Sequence, residues 1–208
     1  MLRKLGVEIT EKPKTFTALI LVPVMIFSLG WACNTQSTFQ TIDSILAQVA
    51  PAIQIVVSLL PLLMSKNIPA NIVSGINAWA GTATADVNIL RNIIAQYQGD
   101  LASGTAQQKI NAAIQTTERD ILQVLTIARV LDATTQQKIT AIVTAIGAAI
   151  VSVENIVNNL NSPPTLKRAA KSNTIIKSGA DFKAKFNVIL HLPTGDPAVD
   201  AATQKLNL

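Results

Sequence analysis

The chain has 208 residues, of which 49% are apolar, 14% charged and 4% aromatic, with a formal net charge of +5. Charge is far below the roughly 25% of an ordinary soluble domain, and the aliphatic content excludes intrinsic disorder, which needs low hydrophobicity with high net charge. The basic excess sits at the ends: residues 1–17 hold four basic and two acidic side chains, 34–164 six and seven, and 165–208 seven and three. That leaves no basic face of the kind nucleic-acid binding requires.

Phe16–Ala32 (FTALILVPVMIFSLGWA) is uncharged and follows Arg3, Lys4, Lys12 and Lys14. A basic segment, an apolar run and small residues at its end describe a secretory signal; about 17 residues are short for a bilayer span. The run ends at Cys33, the single cysteine. A cysteine placed after Ala32 and such a run resembles a bacterial lipoprotein signal, a resemblance that covers residues 1–33. It implies that Cys33 is lipidated and becomes the new N-terminus. An uncleaved anchor, an ordinary cleaved signal and a buried helix with an incidental cysteine are the alternatives. All but the last take the bulk of the chain out of the cytoplasm. A lone cysteine excludes an intramolecular disulfide.

Helical stretches follow. Ser37 with Gln40 has the spacing of a capping box, and Ile42, Leu46, Val49, Ile53, Val56, Leu60 and Leu63 recur at alternating steps of four and three. That seam predicts a helix over 37–64 packed along its length against neighbours. Pro51 is expected to kink it and Pro61 to weaken its last turn. Asn67 and Pro69 predict the start of a short helix over 70–80. Gly81-Thr-Ala-Thr84 is expected to interrupt it before a further helix bearing Val87, Leu90, Ile94 and Tyr97, closed by Gly99-Asp100.

Thr105-Ala-Gln-Gln-Lys-Ile110 and Thr134-Thr-Gln-Gln-Lys-Ile139 are almost the same hexapeptide, with Thr105 and Thr134 expected as N-caps. A seam follows each: Ile110, Ile114, Thr117, Ile121, Val124, Ala128 and Leu131, then Ile139, Val143, Ile146, Ile150, Val153, Val157 and Leu160. The short link between the two predicts an antiparallel hairpin. Ala145, Gly147, Ala148 and Ala149 let a neighbouring helix approach closely.

Ser162-Pro163-Pro164 ends the bundle. Phe182, Ala184, Phe186, Val188, Leu190 and Leu192 then alternate with Lys183, Lys185, Asn187, Ile189 and His191, which predicts a strand. A partner strand over 173–177 and a turn through Ser178–Asp181 complete a β-hairpin. Asp196-Pro197 begins a short terminal helix.

The chemical inventory is thin. His191 is the only histidine, and no His, Cys and carboxylate set has metal-ligand spacing. Glu118 and Asp120 flank Arg119 two positions apart, so on a helix they point to different faces rather than forming an acid–base pair. No phosphate-binding glycine loop occurs. The 22 uncharged residues between Asp43 and Lys66 are long enough to cross a bilayer at about 1.5 Å per residue. The stretch from Lys66 to Asp86 is also uncharged, so membrane entry by this first helical hairpin is the rival to a static bundle.

The expectation is an all-α, antiparallel four-helix bundle over 34–164. An export signal or membrane anchor precedes it over 1–33, and a basic tail with a β-hairpin follows over 165–208. The expected role is non-catalytic: a membrane-tethered scaffold or binding module of the bacterial envelope. The alternative is a membrane-inserting protein of pore-forming or holin-like type. The expected partners are the membrane and an envelope protein or polymer, with no nucleic acid, no cofactor and no metal; the oligomeric state is open.

Overall fold

A computed structural model describes residues 16–63, 67–160 and 176–208, with side chains described from residue 36 onward. These residues form six helices: α1 (Phe16–Leu62), α2 (Ala70–Gln96), α3 (Gly104–Ala128), α4 (Ala133–Asn158), α5 (Gly179–His191) and α6 (Pro197–Thr203). No strand occurs among the described residues. The chain divides into two compact units, Met1–Asn34 and Thr35–Leu208. The basic segment before Phe16, the Cys33 side chain, Ser162-Pro163-Pro164 and residues 173–175 of the expected partner strand lie outside the described residues.

The four long helices run antiparallel, as cross-helix bonds fix. Arg91 near the end of α2 donates from Nε and Nη2 to Asp43 Oδ1 of α1, several turns before the end of that helix, at 3.0 and 2.8 Å. Trp79 Nε1 of α2 donates to the Asp120 carbonyl in the second half of α3 at 2.7 Å. At the start of α3, Gln107 Nε2 donates to the Val157 carbonyl near the end of α4 at 3.1 Å.

Between these bonds lies one hydrophobic core. Every member of the α1 seam is buried, and Ile45, Ala52 and Leu59 join it, so the buried face is wider than a two-position stripe. The α3 seam from Ile110 to Ala128 is buried likewise. Helix α4 differs: Ala145, Ile146 and Gly147 are consecutive and all buried, as are Ile142 with Val143 and Ala149 with Ile150. A helix apolar on most sides belongs in the middle of a fold or in a membrane. Here α3 packs on one side of it and α5 on another.

Several expectations are corrected. Ser37 does not start a helix, because α1 continues through it with each amide supplied by the preceding turn. Pro51 and Pro61, which are not among these corrections, lie within α1 on its exposed side, Pro61 one residue before its end. Pro69 rather than Asn67 is the N-cap of α2, its carbonyl accepting from Ile72 and Val73 N–H at 3.0 and 3.2 Å. Asn67 instead takes a left-handed turn conformation at φ 49°, which asparagine tolerates better than most residues. Helix α2 also runs unbroken through Gly81–Thr84. Trp79, Ala80, Ala83 and Val87 form one buried face across that stretch, and their packing outweighs the poor helix propensity of glycine and threonine.

The N-caps of α3 and α4 are Ser103 and Asp132, not Thr105 and Thr134. Ser103 accepts from Ala106 N–H, and Asp132 accepts from Thr135 N–H and Thr135 Oγ1. An oxygen-bearing side chain on extended backbone two residues earlier captures the orphan amides, leaving both threonines inside the first turn.

The largest correction concerns 182–192, which is not a strand: 182–191 belong to helix α5 and Leu192 is its C-cap. Ser178 Oγ accepts from Asp181 N–H at 3.2 Å, and Asp181 Oδ2 accepts from Lys177 N–H at 2.9 Å. This reciprocal arrangement nucleates a helix. Phe182, Phe186 and Leu190 are buried on one face, whereas Val188 is 64% exposed; a strand would have buried Val188 with them. Asp196-Pro197 does begin α6, with Asp196 Oδ1 accepting from Ala198 and Val199 N–H.

Candidate functional site

Of the residues singled out in the sequence, Cys33 lies within the α1 backbone span, and its side chain is outside the described residues. His191 is the last residue of α5, with Nε2 3.0 Å from the Leu206 carbonyl. Beside it, Asn187 Oδ1 accepts from Leu208 N–H at 2.9 Å. The histidine therefore fastens the chain beyond α6 to α5, a structural role.

The Glu118-Arg119-Asp120 patch contains more than a solvated charge run. Asp120 meets a carboxylate from the other helix of the hairpin, Asp86 of α2. Burial, with the Asp120 carboxyl within hydrogen-bonding reach and its charge adding to the effect, raises the Asp86 pKa above the ordinary carboxylate value; the charge of Arg119 pulls the other way. Asp86 Oδ2 is buried and finds no donor among the described residues. Arg119 Nε donates to Asp120 Oδ1 at 3.1 Å. Reading Glu118 against Asp120 within one helix missed this pair, because the partner lies 34 residues away in sequence. The hairpin register of α2 on α3 was the signal that could have found it.

Asp86 also closes one end of a shallow groove of about 360 Å³ between α2 and α3. Ile89 and Ile93 wall it on α2, Ala112 and Ala113 on α3, and Lys109 lies toward the other end. Ile89 is 53% exposed, a large apolar side chain left open to solvent. Lys109 Nζ rests 5.5 Å from the centre of the Tyr97 ring. The groove offers apolar contact with opposite charges at its ends. Asp86 is the carboxyl of its lining, which also includes Thr116 and Thr117. No group of three His, Cys, Asp or Glu side chains among the described residues has the arrangement to hold a metal ion.

A second polar site, invisible in the sequence, is built around Lys138. This residue is 2% exposed. Its Nζ donates to the Ile189 and Leu192 carbonyls at 3.1 and 2.7 Å, at the C-terminal end of α5. A cation there meets the orphan carbonyls and the negative end of the helix dipole. Burial lowers its pKa, and Asp200 of α6 partly opposes that. The Asp200 carboxyl is itself held below its ordinary value, chiefly by Thr194 N–H and Oγ1, at 2.8 Å each.

No protein-family model matches the chain, and no characterised protein or solved structure matches it.

Proposed function

We propose that the protein is a non-catalytic helical bundle of the bacterial envelope, tethered to the membrane through its N-terminal segment and acting as a scaffold or binding module. The observation that carries this reading is the boundary between compact units at Asn34 and Thr35. The apolar run Phe16–Ala32 and Cys33 fall in a unit separate from the bundle, as a tether requires. The aliphatic stripes of α1 to α4, by contrast, are spent on one another. The α2–α3 groove, with Ile89 exposed, is the surface that suits a partner. The test is metabolic labelling with a fatty acid followed by fractionation, comparing wild type with Cys33→Ser. Label on the wild type alone, in the membrane fraction, is expected. An unlabelled protein in the cytoplasmic fraction overturns the tether.

A second reading is favoured by one observation: α1 over Gln36–Leu62 and α4 over Ala133–Asn158 are both long and apolar enough to cross a membrane. In this reading the protein inserts helices into lipid, in the manner of pore-formers or holins. The inserting pair is α1 with α4 rather than the first hairpin, since α2 is not apolar enough along its length to cross a membrane. Release of a trapped dye from lipid vesicles by the purified chain tests it, and intact vesicles at saturating protein refute it.

A further inference from the structure

Helix α5 is fastened to both of these apolar helices. Gly179 N–H at its start donates to Ser44 Oγ of α1 at 3.0 Å. Just before it, Ile176 N–H donates to Ser152 Oγ of α4 at 3.1 Å, and Lys138 of α4 grips the carbonyls at its far end. Phe182, Phe186 and Leu190 complete the seal with their buried face. The approach to α1 is so close that a Cβ at Gly179 would collide with the Ser44 backbone carbonyl.

The polar fastenings are one-sided. Ser44 Oγ already donates to the Thr41 carbonyl at 2.7 Å, and Ser152 Oγ to the Ala148 carbonyl at 2.7 Å. Each hydroxyl proton is thus committed to its own helix, and α5 uses only the remaining lone pairs. Lifting α5 away orphans neither hydroxyl on α1 or α4, while the Ile176 and Gly179 amides leave with it into water. Lys138 sits in the second turn of α4 and has a stem long enough to bring its ammonium to a membrane interface. The departing segment is basic: Lys177 and Lys183 are exposed, and Lys185 is half-buried in an i,i+4 pair with Asp181.

We propose that α5 is a detachable clasp over α1 and α4, and that an anionic lipid surface draws it off and takes its place against the two apolar helices. The basic outer side of the clasp supplies the attraction to anionic headgroups. The uncovered faces supply apolar area that lipid can bury. This inference rests on the membrane-inserting reading.

The full chain with Gly179→Ala tests it, because the added methyl wedges α5 off Ser44 without altering α1 or α4. Lys138→Met is the second variant; it releases the other end and keeps similar volume, so a global failure of one leaves the other to decide. Two quantities are read: native-state trypsin cleavage at Lys177, Lys183 and Lys185, and dye leakage from vesicles of phosphatidylglycerol with phosphatidylcholine or of phosphatidylcholine alone. Cleavage reports the open population when reclosing is fast, and about tenfold faster cleavage is expected in both variants. Leakage from the anionic vesicles should rise in step, with the neutral vesicles unaffected. Unchanged cleavage in folded variants overturns the clasp. A released α5 with wild-type leakage that does not accelerate also overturns it but leaves membrane insertion standing. A released α5 with no leakage from any form of the protein brings down both.

Discussion

Replacing Lys138 by methionine tests the account of the buried cation most directly, because its expected consequence has both a size and a pH signature. Two hydrogen bonds from an ammonium to carbonyls contribute about 1.5–3 kcal/mol each, against an ion burial penalty of several kcal/mol. Methionine fills a similar volume but leaves the Ile189 and Leu192 carbonyls without this donor. The near-cancellation makes the net loss at pH 7 about 1–2 kcal/mol. The sign with pH follows from the lowered pKa of the lysine. The folded protein releases this proton at a lower pH than the unfolded chain, so the unfolded state binds more protons in the window below 10.5. The burial penalty is fully present below the folded pKa and is relieved as pH rises through it. Wild-type stability should therefore climb relative to the variant as pH approaches 10.5, by at most about 1.4 kcal/mol per pH unit. Urea titrations of both proteins between pH 7 and 10.5, followed by helical circular dichroism, measure the difference. Titrations common to both proteins cancel in it. Parallel stability curves, or a variant that gains on the wild type with rising pH, would refute the reasoning.

Two further changes probe other elements. Asp132→Ala is expected to lower stability by about 1 kcal/mol through loss of the α4 cap, while Thr134→Ala should stay within about 0.5 kcal/mol; denaturant midpoints decide, and the reverse order would restore Thr134 as the cap. Asp86→Asn removes a carboxyl whose folded pKa is raised. That group favours folding below its unfolded pKa and loses this contribution as pH rises through the folded one, so the variant should match or exceed wild type by about 0.5 kcal/mol at pH 7. It should fall behind as the pH drops toward 4. Thermal melts across pH 4 to 7 show whether the two curves converge and cross.

How much of this was legible in advance depends on how local the deciding physics is. The heptad seams of α1, α3 and α4 were readable except at their ends, where Leu131 and Leu160 fall beyond α3 and α4 and are only half-buried, since burying a stripe of Ile, Val and Leu needs only the helical period and a neighbour. The α3–α4 hairpin followed from its short link. The strand expected over 182–192 failed because Phe182, Phe186 and Leu190 stand four apart, a spacing that satisfies both a period of two and a helical face. The Ser178-x-x-Asp181 signature was present and, weighed first, would have decided for helix. In the candidate site, Asp120 was visible but its partner Asp86 was not, because pairing across a helical hairpin depends on register.

The sequence by itself determined that this chain buries aliphatic stripes in antiparallel helices and carries an apolar run ahead of Cys33. Tertiary structure alone decided the fate of its nearly duplicated hexapeptides. Lys109 and Lys138 occupy the same place in Gln-Gln-Lys-Ile, yet Lys109 is exposed beside Tyr97 while Lys138 is buried beneath the end of α5. Local sequence sets the helix each lysine rides on. Only the packing of a distant segment against α4, through carbonyls some fifty residues further along the chain, makes burial of that charge affordable.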